Sequence, residues 1–214
     1  LGSTDLDSYH KVFPELKGKE SPALIFARGV ANIAITGSGT INGQGAHQNF
    51  QHGNDSKGGP RRPKIIYFIG CNNVRVQDVT LRNSAYWTQD YEKCNGVIVR
   101  GVKVYSHANW NNDGLDIDSR NVVVSDCYID CDDDALCLKS DTDTPCENVT
   151  VTNCVLKSNC NAIKFGTSSY SGFKNVTISN CTIDRASEDH IRQWYKNYPW
   201  IGTKHKTVVA GIAL

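Results

Sequence analysis

The sequence predicts an all-β protein, a parallel β-helix, and two observations support this prediction. The first is a kernel of the form Asn-apolar-x-apolar, which recurs at intervals of 22, 26, 27 and 27 residues from Asn73 onward. The kernels begin at Asn32, Asn73, Asn95, Asn121, Asn148 and Asn175, the copy at Asn95 being looser. The second is that two further short apolar stretches accompany each kernel, so that each repeat contains three strands. Neither a leucine-rich solenoid nor a propeller blade has this pattern.

The asparagine that opens each kernel has a structural explanation. Asn tolerates the left-handed backbone conformation of a tight bend. When identical asparagines stack on successive coils, each amide can bond to the next one. We therefore expect the kernels at Asn73, Asn121, Asn148 and Asn175 to form one column.

The cysteines predict a second column. Nine cysteines are present, an odd number, so they cannot all pair within one chain. Cys127, Cys154 and Cys181 recur every 27 residues, which predicts stacked free thiols that behave as small hydrophobes. Disulfides are the alternative, although three members of one column cannot all pair. No CxxC pair or histidine-rich spacing is present, so we expect no metal site.

Length and composition predict a single domain over residues 1–214. The net charge of +1 gives no indication of a nucleic-acid partner, and no apolar run is long enough to span a membrane. We expect a monomer with loops projecting near residues 42–62 and 185–206, where the repeat is interrupted. The opening LGSTDLDSY and the closing VVAGIAL predict a fragment that is incomplete at both ends.

Acidic residues are concentrated in one stretch, where eight aspartates fall within 22 residues from Asp113 to Asp134. Two motifs stand out, Asn111-Asn112-Asp113-Gly114 and Asp133-Asp134-Ala135-Leu136. One repeat unit separates them, so Asp113 and Asp134 should lie on adjacent coils, whose strands are about 4.8 Å apart. Such crowding raises the pKa of at least one carboxyl group and can make an acid and a base from one residue type. Apart from Asp116, we expect the remaining aspartates to be solvated turn residues, namely Asp118, Asp126, Asp130 and Asp132.

These motifs, with DDALCLKS, the segment Gly39 to Gly45 (GTINGQG) and the run Asn83-Ser84-Ala85-Tyr86-Trp87, resemble glycoside hydrolase family 28. The resemblance extends from about Asn32 to Thr167. The family contains polygalacturonases and rhamnogalacturonan hydrolases, which are right-handed parallel β-helices. The resemblance implies an inverting glycoside hydrolase that needs no cofactor and cleaves a pectic polysaccharide or oligosaccharide. It also implies that the enzyme is secreted or periplasmic.

The resemblance also implies residue roles. Asp133 would be the general acid that protonates the leaving oxygen, and Asp113 and Asp134 would activate the attacking water. Asp116 and Asn111 would contact the sugar. An inverting pair needs carboxyl groups roughly 6.5–9.5 Å apart, which leaves room for water. One coil step with a lateral offset gives a separation of that order.

The sequence departs from the family pattern at two positions. The family's Gly-His-Gly aligns with Cys160-Asn161-Ala162, so Asn161 replaces the histidine. The later Arg-x-Lys aligns with the end of the chain, where Ala213 replaces the arginine. Lys164, aligned one coil beyond Cys137, is a candidate for the missing positive charge, and Asn161 is a second candidate substrate contact. A solvated lysine is the alternative for Lys164.

Two other function classes remain open. In a calcium-dependent polysaccharide lyase, Asp113, Asp133 and Asp134 would bind calcium, and Arg192 or Lys164 would be the base. In a non-catalytic carbohydrate-binding β-helix, the crowded aspartates would have no explanation. The lyase alone predicts an unsaturated product and sensitivity to chelators.

Overall fold

A computed structural model describes residues 23–50, 62–188 and 210–214. Apart from one 3-10 turn at Gln48–Phe50, every regular element described is a β-strand. The strands are β1 Ala23–Arg28, β2 Ala31–Thr36, β3 Thr40–Asn42, β4 Lys64–Ile69, β5 Asn72–Gln77, β6 Thr80–Arg82, β7 Gln89–Arg100, β8 Lys103–Ser106, β9 Leu115–Ser125, β10 Tyr128–Cys131, β11 Leu136–Ser140, β12 Cys146–Thr152, β13 Val155–Ser158, β14 Asn161–Ser169, β15 Phe173–Ser179, β16 Thr182–Arg185 and β17 Ala210–Ala213.

The strands form two parallel sheets that run the length of the solenoid. One sheet has eleven strands, and the other has six in the order β16-β13-β10-β8-β6-β3. Non-consecutive strands pair in parallel, as β10 does with both β8 and β13. The predicted parallel β-helix is therefore confirmed. The structure differs from the predicted three strands per coil in one respect. In β7 and β9 the kernel and the strand before it are joined into a single long strand.

The core is a stack of apolar side chains inside the coils. Val97 pairs with Val122, which pairs with Val149 on the next coil, and all three are buried. The valines two positions later in these three kernels also pair in register and are buried. Burial of one such side chain is worth about 1.5–3 kcal/mol, so the repeated kernel accounts for much of the stability of the fold.

The asparagine column is confirmed. Asn73, Asn121, Asn148 and Asn175 all have positive φ, between 52° and 56°. The side-chain amide of Asn175 donates to Asn148 at 2.9 Å, and that of Asn148 donates to Asn121 at 3.0 Å. In the looser kernel, Gly96 takes the bend position with φ of 74°, because glycine adopts this conformation without steric cost.

The cysteine column is confirmed as well. All nine cysteines are free thiols. Cys127, Cys154 and Cys181 lie directly before strands β10, β13 and β16, which pair in register. Cys127 and Cys154 are buried, whereas Cys181 is partly exposed.

The two predicted projecting loops fall largely outside the described residues, which omit 51–61 and 189–209. The described start of the first loop is tied to the solenoid, because the amide of Asn109 donates to the carbonyls of Gly45 and Phe50 at 3.1 and 2.9 Å. None of the helices in the described part of the chain is long and apolar enough to cross a membrane.

Candidate active site

Backbone hydrogen bonds stack Asp113, Asp134 and Asn161 on three consecutive coils. The N–H of Thr88 donates to the carbonyl of Asp113 at 2.8 Å, and the N–H of Gly114 donates to that of Asp134 at 2.9 Å. One coil further, the N–H of Ala135 donates to the carbonyl of Asn161 at 2.9 Å. The structure thus places Asp113 and Asp134 on adjacent coils, as their spacing predicts, and brings Asn161 next to them.

Gly114 is needed for this stack. A Cβ atom at this position would overlap Cγ2 of Ile129 and lie 2.7 Å from the carbonyl oxygen of Ala135. Only glycine lets the Asp113 loop approach the Asp133–Asp134 turn closely enough for the Gly114 hydrogen bond.

Asp133 and Asp134 accept hydrogen bonds from the adjacent backbone and from neighbouring coils. Asp133 accepts from the backbone N–H of Asp134 at 3.0 Å and, at a longer 3.4 Å, from the side-chain amide of Asn111. Asp134 accepts from the amide of Asn161 at 2.6 Å and from the ammonium of Lys164 at 2.9 Å. Lys164 is therefore an ion-pair partner of Asp134 rather than a solvated lysine.

Asp116 lies on β9 in a column that crosses the same sheet. It pairs with Cys137 in register, Cys137 pairs with Lys164, and Lys164 pairs with Ala213. The predicted placement of Lys164 one coil beyond Cys137 is thus confirmed. Asp116 is fully buried, and its carboxylate lies 3.2 Å from the ammonium of Lys139.

Burial and crowding shift the proton affinities of this cluster. The pKa of Asp113 is raised well above the ordinary aspartate value, by burial first and then by the charges of Asp116, Asp133 and Asp134. Burial likewise raises the pKa of Asp116 to about 7, although Lys139 acts in the opposite direction. Burial acts to lower the pKa of Lys139, but Asp116 and further neighbours outweigh it and raise this pKa well above the usual lysine value. Near neutral pH the cluster therefore retains a carboxyl proton beside a charged ammonium.

The prediction of solvated turn residues is wrong for three other aspartates. Asp118, Asp130 and Asp132 are buried. Each finds polar partners on other coils. Asp118 accepts from the N–H of Asp141 at 2.9 Å, and Asp132 accepts from the amide of Asn159 at 2.9 Å. Asp130 accepts from the N–H of Ser187 at 3.0 Å, and the His107 ring nitrogen lies 3.0 Å away. The coil-to-coil spacing that stacks apolar residues also supplies these partners.

Comparison with known sequences identifies the family. The family model described as glycosyl hydrolases family 28 matches residues 11–197. The chain belongs to this family. It is 32% identical over 128 residues to a probable polygalacturonase of Arabidopsis thaliana, a match covering 59% of this chain and 26% of the relative. It is also 32% identical over 156 residues to a probable polygalacturonase of Vitis vinifera, covering 67% and 31% respectively. The chain thus spans about a third or less of these relatives.

Solved structures agree on the fold. The chain is similar to a hyperthermoactive exopolygalacturonase from Thermotoga maritima, with a TM-score of 0.68 and 25% identity over 78% of this chain and 49% of that one. A family 28 exopolygalacturonase of Yersinia enterocolitica superposes with a TM-score of 0.59 at 22% identity, covering 73% and 37%. The second similarity shows the fold alone.

Sequence reasoning about this family 28 chain identified Lys164 but missed two other lysines beside the aspartates, Lys64 and Lys139, and the aromatic ring that both contact. The ring of Trp87 lies beneath two lysine ammoniums, 4.5 Å from Lys64 and 4.4 Å from Lys139. Lys64 donates to Asp90, the register neighbour of Asp116. Lys139 could have been found, since it stands in the DDALCLKS motif two residues after Cys137 and therefore on the same side of β11.

Two groups of side chains have spacing that suits a metal ion, but lysines already supply positive charge at both. The first is Asp113, Asp116 and Cys137, and the second is Asp133, Asp134 and Cys160. The ammonium of Lys139 lies 3.2 Å from Asp116 and 3.3 Å from the Cys137 sulfur, and Asp134 already accepts from Lys164. Burial also raises the pKa of the Cys137 thiol, which disfavours the thiolate that a metal needs. Calcium binds oxygen ligands, so the lysine contacts of Asp116 and Asp134, rather than the state of the thiol, argue against the calcium-dependent lyase.

Proposed function

We propose that this chain carries the active site of an inverting glycoside hydrolase that cleaves a pectic polysaccharide or oligosaccharide, galacturonan- or rhamnogalacturonan-type, outside the cell or in the periplasm. The observation that supports this proposal most directly is the stack of Asp113 and Asp134 on adjacent coils with Asp133 beside them. Family membership and the similarity to probable polygalacturonases support the same substrate class.

In this proposal Asp133 donates a proton to the glycosidic oxygen while the bond from that oxygen to the anomeric carbon breaks. A water molecule attacks the anomeric carbon from the opposite face, and its proton passes to Asp134 or Asp113. The net reaction consumes one water and inverts the anomeric centre. Asp133 has the largest exposed fraction of the three, 8% against 4% for Asp113 and 1% for Asp134, which suits a group that must touch the leaving oxygen.

The location of the resting proton refines this scheme. The sequence argument gave the retained proton to the general acid, Asp133; in the structure the pKa of its neighbour Asp113 is raised well above the ordinary aspartate value, first by burial. We propose that the coupled carboxyl groups hold one proton in common. This proton would lie on Asp133 once a glycosidic oxygen is bound there, which frees Asp113 and Asp134 to act as bases.

The substrate contacts follow from exposure. Lys164, with about a quarter of its side chain exposed, would bind the carboxylate of an acidic sugar, with Asn161 and Asn111 contributing amide hydrogen bonds. Asp116 has no exposed surface. The sequence argument expected Asp116 to touch the sugar. We propose instead that Asp116 acts through Lys139.

The decisive experiment incubates the full chain with a panel of pectic oligosaccharides and identifies products by mass and by the anomeric configuration seen in NMR. Saturated products with inverted configuration would support the hydrolase. An unsaturated product would show the lyase, and binding without any turnover would favour the non-catalytic module. Because Asn161 and Ala213 replace the family's histidine and arginine, unsubstituted polygalacturonate should be cleaved slowly compared with the best substrate of the panel.

Variants assign the roles. Asp133→Asn keeps the shape but cannot deliver a proton, so turnover of a natural glycoside should fall by about 10²- to 10⁴-fold. A substrate with an activated leaving group should be partly spared. Asp113→Asn or Asp134→Asn should impair both substrates, because water activation is needed in each case. Asp143→Asn is the matched control, since its side chain is 80% exposed. Near-full activity of Asp133→Asn on a natural glycoside would contradict the assignment.

A further inference from the structure

Arg62 is a buried arginine at the edge of the aspartate cluster, and its side chain is clamped on both faces. The guanidinium carbon lies 4.8 Å from the centre of the Tyr86 ring and 4.5 Å from that of the Trp110 ring. In the plane of the guanidinium, Nη1 donates to the carbonyls of Ala85 and Trp110. These contacts leave the guanidinium little freedom, since Arg62 is only 4% exposed.

The remaining arm of this guanidinium determines the orientation of Asn111. Nη2 of Arg62 donates to Oδ1 of Asn111 at 3.0 Å. Arginine has donors only, so the amide oxygen of Asn111 must face Arg62. The amide nitrogen then faces the opposite way, where it lies 3.4 Å from Oδ2 of Asp133. A flipped Asn111 would present its oxygen to the Asp133 carboxylate and its NH2 group to the guanidinium, so acceptor would face acceptor and donor would face donor.

We propose that Arg62 is a positioning residue for the hydrolysis described above, which fixes the Asn111 amide so that it donates to Asp133. The catalytic role of Arg62 in this inference rests on the proposed function, whereas the orientation of the Asn111 amide is independent of it. A donor that faces a carboxylate favours its charged form. Arg62 would thereby influence the proton affinity of the general acid, Asp133, through the one residue that lies between them, Asn111.

A lysine cannot reproduce this arrangement. It would keep the positive charge, but it has neither the planar fork that bonds two acceptors at once nor the flat surface that stacks between two rings. Arg62→Lys therefore separates the orientation of the amide from the charge of the side chain. Arg82→Lys is the matched control, because Arg82 also lies over a tyrosine ring, at 5.2 Å from that of Tyr105.

The first measurement needs no substrate. The carboxyl carbons of the aspartates are followed by NMR in the full chain as the pH is varied, in the wild type, Arg62→Lys, Asn111→Ala and the double variant. We expect Arg62→Lys to raise the midpoint of the Asp133 titration by about half a pH unit, a small shift because the amide hydrogen bond is long. Asn111→Ala should raise it similarly, and the double variant should add no further shift.

The second measurement is the pH dependence of kcat/KM on the oligosaccharide that the wild type cleaves best. The alkaline limit of activity should move upward in Arg62→Lys by the same amount, with Arg82→Lys unchanged. An unshifted Asp133 titration would overturn the proposal. A shift that persists in full on the Asn111→Ala background would overturn it too, because Arg62 would then act on Asp133 by a route that does not pass through Asn111. Loss of the folded state in Arg62→Lys, seen by circular dichroism, would assign it a purely structural role. If the wild type cleaves nothing, the proposed function fails while the NMR titration still decides the role of Arg62.

Discussion

Raising the pH from acidic to neutral should destabilise the folded chain, and Asp116 should account for much of this effect. Asp116 is fully buried, and burial raises its pKa to about 7 against the opposing influence of Lys139. An aspartate in the unfolded chain titrates at about 3.9. Between these two values the folded state binds more protons than the unfolded state. The stabilisation from this group is therefore complete below the unfolded pKa and is lost as the pH rises through the folded pKa.

The magnitude follows from the shift. A difference of about three pKa units corresponds to about 4 kcal/mol, a large share of the roughly 5–15 kcal/mol by which a domain is stable. The raised pKa of Asp113 contributes with the same sign. Lys139 does not compensate within this window, because its pKa is raised and its contribution is lost only at strongly alkaline pH.

Urea unfolding of the wild type and of Asp116→Asn at several pH values between about 4.5 and 7.5 tests this reasoning. The variant leaves Lys139 without its nearest carboxylate, which adds a cost that stays constant over this range because Lys139 remains protonated. The free energy of unfolding of the variant relative to the wild type should rise by about 3 kcal/mol across the range. Asp143→Asn, at an 80% exposed side chain, should give a flat difference. A flat difference for Asp116→Asn would refute the assigned pKa.

Two further predictions concern the scaffold. Gly114→Ala should lower the free energy of unfolding by about 1–3 kcal/mol through overpacking against Ile129 and Ala135, and it should reduce turnover. Gly39→Ala is the control and should do neither, because an added Cβ there meets nothing within 4 Å. Equal free energies of unfolding for the two variants in urea would contradict the packing argument. Asn148→Ala should destabilise by about 1–2 kcal/mol because alanine is strained at the observed φ of 56°, and Asn148→Gly should cost less in the same assay. Equal costs for the two variants, which both remove the side-chain amide, would show that the amide ladder rather than the backbone conformation is what matters there.

The fold could be predicted because the repeat is local and periodic. The asparagine bends and the valine pairs are separated by one coil, so their spacing in the sequence is their spacing in the structure. The same logic placed Asp113, Asp134 and Lys164 on neighbouring coils. It fails for Arg62, which contacts Asn111 across 49 residues from a position outside the kernels. It also fails for Asp130, because one of its partners, the backbone N–H of Ser187, lies 57 residues further along the chain and not on an adjacent coil.

Asn161 offers a last prediction, which concerns the electrostatics of the stack. It occupies the coil position after Asp113 and Asp134, and its neutral amide donates to Asp134 at 2.6 Å. An amide relieves the crowding of carboxylates there without titrating, while Lys164 supplies a charge that is permanent over the working range of pH. Asn161→His would place an imidazole at this position, and histidine ordinarily titrates at about 6.5. Its protonated form would be favoured by Asp134, so its pKa should lie above that value. The pH profile of kcat/KM should then gain one transition near neutral pH in addition to those of the carboxyl cluster, and Asn161→Gln should not gain it. A profile of Asn161→His with no additional transition, or the same additional transition in Asn161→Gln, would contradict this reasoning.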